Sequence, residues 1–227
     1  MTVLKSDRLM SRKQPTQARS QATVEAVLEA TIQLLLHGGS SALTTNRIAK
    51  KAGVSIGTLY QYFPGKEALL YALVGRHLDK ASDAVERACQ AHRAMPLAAC
   101  SDAFVNSYID AKTGNPEASR ALYHASTELD MKDLGSGMIA RLHRAVRAML
   151  FAAQGGKFAD LDDVVLTWVA AVTGGTRQIF EEDDTIARLP VFRTQLLQMS
   201  RAYLEASTVT AVLENCVAII EAEDLSD

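Results

Sequence analysis

The sequence is short of several things at once, and each shortage excludes something. Aromatic residues make up 6% of the 227 positions and there are only five prolines. Alanine and leucine take their place, which favours helix over a β-sandwich. No segment sustains the period-two alternation of a half-buried strand, so no sheet is expected. The three cysteines, Cys89, Cys100 and Cys216, form no CxxC pair and no even set. A disulfide framework is therefore excluded, and reduced, packed thiols are expected. No apolar run follows the N-terminus, so no signal peptide is expected. The longest apolar stretch, near residues 164–172, is about half a bilayer span. No membrane partner is expected, and the expected compartment is the cytoplasm. There is no GxSxG elbow, HExxH, P-loop or Rossmann glycine pattern, so the chain does not read as an enzyme. The five histidines are scattered without companion ligands, so neither a metal nor another cofactor is expected.

What is present is a chain that can fold and that is divided by charge. Hydrophobic residues are 48%, enough for a core and too many for a disordered chain. The length suits one large domain or two small ones. The net charge of −2 hides an asymmetry. Residues 1–66 hold nine Lys/Arg against three Asp/Glu, while residues 67–227 hold fifteen against twenty-three. A head of +6 on a body of −8 suggests a polyanion-binding module joined to something that is not one.

Helical spacing and breakers divide the chain. Residues 1–20 are polar and basic and read as a flexible arm. Val24, Val27, Leu28, Ile32 and Leu35 mark a helix over 21–37, stopped by Gly38-Gly39. A short helix starts at Thr44 or Thr45 and ends before Gly53; another runs from Ser55 to Phe63, stopped by Pro64-Gly65. A long helix follows over 66–91. Further helices are expected at about 97–112, 116–129, 138–153 (after the interruption by Gly135 and Gly137), 160–180, and from Pro190 to about 221.

The informative stretch is Thr44 to Leu70, TTNRIAKKAGVSIGTLYQYFPGKEALL. Two short helices around Ala52-Gly53-Val54 make a helix-turn-helix. Ile48, Val54 and Leu59 face inward, and Ala49 is small where the helices cross. The second helix breaks a local rule. Gly57 costs it about 1 kcal/mol relative to alanine. Its outward residues Ser55, Thr58, Tyr60, Gln61 and Tyr62 are hydroxylic or amide-bearing, where a merely structural surface helix carries Glu and Lys. Small residues let a helix sink into a major groove, and hydroxyls and amides meet phosphates and base edges.

The run VSIGTLYQYFPGKEALL resembles the recognition segment of TetR-family transcriptional regulators. LTTNRIAKKAG is similar to that family's positioning helix, and RKQPTQARSQATVEAVLEATIQLLLHGG to its first helix and lead-in. The resemblance covers residues 12–75. It implies an all-α fold: a three-helix, helix-turn-helix DNA-binding head over 21–66, and a helical-bundle domain over 67–227 for ligand binding and dimerisation. By position it implies DNA-facing roles for Thr45, Asn46, Ile56, Gly57, Thr58, Tyr60, Gln61, Tyr62 and Lys66. Tyr60, Tyr62 and Lys66 match phosphate contacts, while Thr45, Asn46, Ile56, Gly57 and Gln61 match positions near base edges. Arg47 and Ser55 complete the set. Asn46 stands where many members carry Arg; Asn favours adenine where Arg favours guanine, so an operator sequence does not transfer.

In the body the resemblance implies an effector held between the fourth and seventh helices. Phe104, Tyr108, Tyr123, His124, Phe151 and Trp168 are the aromatic and polar candidates to line it. It also implies a homodimer through the last two helices, where Ala171, Gly174 and Gly175 permit close approach and Leu197 and Leu204 offer apolar surface. The expected function is a sequence-specific DNA-binding transcriptional regulator: a homodimeric repressor on a palindromic operator, released by a small-molecule effector. The alternatives are an activator, a regulator without a small-molecule ligand, or a helical small-molecule- or protein-binding protein with a non-functional head.

Overall fold

The structure is a computed structural model that describes residues 18–127, 131–181 and 185–210. The basic arm therefore lies outside the described residues up to position 17, as does Cys216. Among the described residues there are nine α-helices, and the only β-type pairings are two isolated bridges, Pro96 with Gln154 and Phe158 with Thr208. The helices are α1 Ala18–Gly38, α2 Thr45–Ala52, α3 Ile56–Tyr62, α4 Lys66–Ala91, α5 Leu97–Thr113, α6 Pro116–Thr127, α7 Lys132–Phe151, α8 Leu161–Glu181 and α9 Thr185–Ala206.

The chain forms two compact units. The first comprises the described residues of Met1–Asp79 and Asn115–Gly135, and the second those of Lys80–Gly114 and Ser136–Asp227. The core of the first gathers Val27, Leu28 and Leu35 of α1, Ile48 of α2, Leu59 of α3, Leu69 of α4 and Leu122 and Ala125 of α6. Helix α1 can end tightly only because of its glycines. A Cβ on Gly38 would lie 2.6 Å from the Ala42 Cβ, and Gly39 sits at φ 65°, where only glycine is unstrained.

The second unit packs Phe104, Ile109, Leu142, Met149, Trp168 and Leu204, each at most 1% exposed. Helices α5 and α9 run antiparallel, held by two arginines. Arg201 donates to both carboxylate oxygens of Asp102 at 2.7 and 2.5 Å. Arg193 donates to Asp110 at 2.5 Å and to Asn106 at 3.0 Å. The carboxylate of Asp160 caps α8 by accepting from the N–H groups of Asp162 and Asp163 at 3.0 Å.

Two boundaries differ from the sequence expectation. Gly135 and Gly137 do not interrupt; they lie inside α7, which starts at Lys132. Each glycine costs about 1 kcal/mol in a helix interior. The cost is offset because Leu134 packs on the first unit's core and Met138 and Ile139 on the second's. Pro190 does not open the last helix but lies within it, forfeiting one backbone bond. That helix stops at Ala206. The Ser207 and Thr208 hydroxyls donate to the carbonyls of Tyr203 and Glu205, and the Val209 N–H turns away to the Lys157 carbonyl at 2.8 Å. The expected continuation over 211–221 lies outside the described residues.

Candidate nucleic-acid interface

The helix-turn-helix is assembled by caps. The Thr44 hydroxyl accepts from the Arg47 N–H at 3.3 Å and starts α2. Gly53 ends it in the left-handed region, φ 68° and ψ 27°, with its N–H on the Ala49 and Lys50 carbonyls. The Val54 N–H also returns to Ala49, at 3.0 Å. Ser55 then caps α3, its hydroxyl accepting from the Thr58 N–H at 3.0 Å and lying 2.8 Å from the Thr58 hydroxyl. Ile48, Ala49, Leu59 and Phe63 are buried and fix the crossing of α2 and α3.

What remains outside is a surface without a carboxylate: none occurs between Thr44 and Lys66, a stretch that carries Arg47, Lys50, Lys51 and Lys66. Asn46, Arg47, Ser55, Gly57, Gln61 and Lys66 are exposed, and Thr45 and Thr58 are half-buried. Ile56 and Tyr60 are large side chains left 38% and 41% exposed. The Tyr60 hydroxyl lies 3.1 Å from the Thr45 hydroxyl, joining the N-terminus of α2 to the outer face of α3. Gly57 has no neighbour closer to a built Cβ than the Ser55 hydroxyl at 3.7 Å. Its missing side chain is therefore no requirement of packing within the head; it flattens the outward face of α3. Tyr62 departs from its expected place. It is 7% exposed and belongs to the core, so little of its ring is left for a partner, whereas Tyr60 is on the surface.

Residues 27–73 match bacterial regulatory proteins of the tetR family, and residues 96–204 match the tetracyclin repressor-like C-terminal domain. The chain belongs to the TetR family. Among curated relatives, the HTH-type transcriptional repressor KstR of Mycolicibacterium smegmatis is 37% identical over 65 residues, which are 29% of this chain and 32% of KstR. The HTH-type transcriptional regulator EthR of the same organism is 31% identical over 133 residues, 56% of this chain and 59% of EthR. The matches thus span from about a third to under two thirds of those relatives' lengths. Among solved structures, SmeT, the repressor of the Stenotrophomonas maltophilia multidrug efflux pump SmeDEF, aligns over 81% of this chain and 90% of its own, with TM-score 0.60 and 20% identity. A TetR-family regulator from Streptomyces coelicolor aligns over 82% and 99%, with TM-score 0.57 and 22% identity. These two share the fold.

Within this TetR-family body, the six residues expected to line an effector site divide. Phe104, Tyr108 and Trp168 are buried together in the second unit. The Phe104 and Trp168 rings meet edge-on at 4.8 Å, and those of Phe104 and Tyr108 lie 6.4 Å apart. Trp168 Nε1 is buried with no hydrogen-bond partner among the described residues. Tyr123 and His124 lie on α6 in the first unit, their rings 6.1 Å apart. Phe151 is 76% exposed and lines no interior; it is the last residue of α7, where its face has turned to solvent.

The dimer candidates also separate. Ala171 and Gly174 are exposed on α8, and Gly174 has open space beyond it. Gly175 faces the Phe192 ring of α9, 3.4 Å from a built Cβ, and Leu197 is half-buried. Leu204 is 0% exposed within its own chain and offers nothing to a second copy. The sequence reading overlooked the apolar side chains that α8 and α9 do expose: Leu166 at 53%, Val191 at 66% and Met199 at 43%. The eight-residue spacing of Val191 and Met199, two helical turns and so one face, was the available signal.

Among the described residues no helix is long and apolar enough to cross a membrane.

Proposed function

We propose that the protein is a transcriptional repressor that binds a palindromic operator as a homodimer and is released by a small-molecule effector. The observation that carries this is the carboxylate-free outer face of α2 and α3, with Tyr60 presented and pinned to Thr45. An exposed aromatic, a solvent-facing glycine and the exposed Gln61 amide on one short helix serve a groove better than they serve a fold. KstR and SmeT, both repressors by name, support the direction of regulation. Lys66 opens α4 beside this face and supplies a phosphate contact.

The exposed Leu166, Val191 and Met199, with the small Ala171 and Gly174, support pairing through α8 and α9. Two recognition helices then meet half-sites about 34–36 Å apart. The unpartnered Trp168 Nε1 supports an effector that brings a hydrogen-bond acceptor. A buried donor left unsatisfied costs about 1–3 kcal/mol, which an acceptor would recover. Helix α4 is continuous from Lys66 to Ala91 and is the covalent route by which occupancy of the body would bias the head. An effector needs only unequal affinity for two states to do so.

The decisive experiment is a gel shift with the DNA flanking the protein's own gene. A discrete shifted band is expected for the wild type, lost with Tyr60→Ala and weakened with Lys66→Ala. A folded protein that shifts no flanking fragment, or variants that bind unchanged, would overturn the assignment. Val191→Glu with Met199→Glu should convert a dimer to a monomer in sedimentation.

A further inference from the structure

The cleft between the second half of α4 and α7 is used neither by the DNA-binding face nor by the aromatic core. It has a volume of about 250 Å³ and lies within the second unit. That is the liquid volume of about eight waters. Its walls carry three guanidinium groups, Arg93, Arg141 and Arg144, against one carboxylate, Glu86.

Arg141 is already committed. Its Nε and Nη2 donate to the two oxygens of Glu86 at 2.9 and 2.7 Å, and Nη2 donates to Asp83 at 2.5 Å. Arg93 and Arg144 form no salt bridge among the described residues, and Arg144 acts on Glu86 only through its charge, a smaller influence than that of Arg141. The rest of the lining is the amide of Gln90 and a small apolar wall of Cys89, Ala145 and Ala148. Cys89 supplies no counter-charge, because burial pushes its thiol up to about 12.

The cleft also has a direction. Arg141 of α7 meets Asp83 and Glu86 of α4, and beyond the other end Gln154 donates its side chain to the Ala94 carbonyl at 2.7 Å and its backbone N–H to the Met95 carbonyl at 2.9 Å. The two helices therefore run parallel, with their C-terminal ends together. There Phe151 and Met95 stand 76% and 43% exposed. Phe151 is three residues past Ala148 and seven past Arg144, on the same face of α7.

We propose that this cleft binds a small amphiphilic anion, its carboxylate or phosphate-ester head held by Arg93 and Arg144 and its short apolar stem laid over Ala148 toward Phe151. Guanidinium groups grip such oxyanions through forked hydrogen bonds. The stem is required because the wall formed by Cys89, Ala145 and Ala148 offers no polar group to a bare ion. A polyanion is disfavoured, since residues 67–227 carry a net charge of −8. Only a small anion meets the cleft's local field without the repulsion of that acidic body. The proposal concerns a site apart from Trp168 and does not depend on the DNA-binding reading.

The test uses the full-length protein with alanine methyls labelled for NMR, and calorimetry alongside. The probes are octanoate, octyl phosphate, octanol and inorganic phosphate. Octanoate or octyl phosphate should shift the Ala145 and Ala148 methyls and bind at least tenfold tighter than octanol or inorganic phosphate; which of the two is tighter identifies the head. Arg93→Gln with Arg144→Gln should weaken binding at least tenfold. Ala148→Leu, with Ala148→Trp where it folds, should block the stem and weaken both amphiphiles. The proposal falls if neither amphiphile moves those methyls at millimolar concentration, if octanol binds as tightly as octanoate, or if the double glutamine variant binds unchanged. DNA binding by that variant without any anion should equal the wild type, so a failed gel shift and a failed anion titration are separate results.

Discussion

The Thr45 and Tyr60 hydroxyls lie 3.1 Å apart, across fifteen residues of sequence, and tie the first turn of α2 to the outer face of α3. The bond is exposed, and a neutral hydrogen bond contributes about 0.5–1.5 kcal/mol net, so it matters little to the fold. Its consequence is positional: it holds the Tyr60 ring at one angle on the surface proposed to meet DNA. Tyr60→Phe and Thr45→Val should each lower operator affinity several-fold while leaving the melting temperature nearly unchanged. Because both remove one bond, the double variant should lose less than the two singles combined. Fluorescence anisotropy with a labelled operator measures the cycle; full additivity would show that the two residues act separately.

Gly57 separates folding from binding. Its built Cβ has ordinary contact distance to its nearest neighbour, 3.7 Å, and it needs no unusual backbone angle. Gly57→Ala should therefore stabilise the protein, by up to about 1 kcal/mol. The same methyl stands on the face of α3 proposed to enter the groove, so operator affinity should fall. Thermal melting and anisotropy on one preparation test both. A variant that gains stability and keeps its affinity would remove α3 from the groove.

Lys66 is a charge test. A lysine that neutralises one phosphate contributes about 0.9 to the slope of log affinity against log salt. Lys66→Gln should flatten that slope by about this amount and weaken binding evenly across operator variants, without changing which sequence is preferred. A change of preference instead would place Lys66 at a base.

The head was legible because each local signal there agreed with the others. Thr44 and Ser55 cap the helices they precede, Gly53 takes the left-handed turn that only glycine takes cheaply, and Leu59 and Phe63 fall inside by spacing. Tyr62 was the exception, since its phenol suggested a contact while its place in α3 buries the ring. The body was less legible because spacing assigns a residue to a face of a helix but not to what covers that face. Leu204 and Val191 are both apolar residues of α9, yet one is 0% and the other 66% exposed. Phe151 and Trp168 are both aromatic, and their burial is opposite. Likewise, nothing local to Leu122 or Ala125 announces that α6 completes the core around α1 and α4. Such pairings are tertiary facts.

The Arg141 bridge gives a pH-dependent stability. Its hydrogen bonds to Glu86 are the largest influence on that carboxyl and hold its pKa below the ordinary 4.5. A carboxyl whose folded pKa is lowered contributes stability that is fully present above its unfolded pKa and is lost as pH falls through the folded value. Glu86 is 39% exposed and Arg141 26%, so solvent screens the pair and its contribution is about 1 kcal/mol or less. Arg141→Gln should lower the urea midpoint at pH 7. The gap from wild type should hold down to about pH 4.5, the ordinary Glu86 value, and close as the medium becomes more acidic. High salt should narrow it at pH 7 as well. Urea titrations of both proteins at neutral and acid pH provide the measurement. A gap that persists unchanged in acid would mean that Arg141 stabilises through the packing of its aliphatic stem against α4 rather than through its charge.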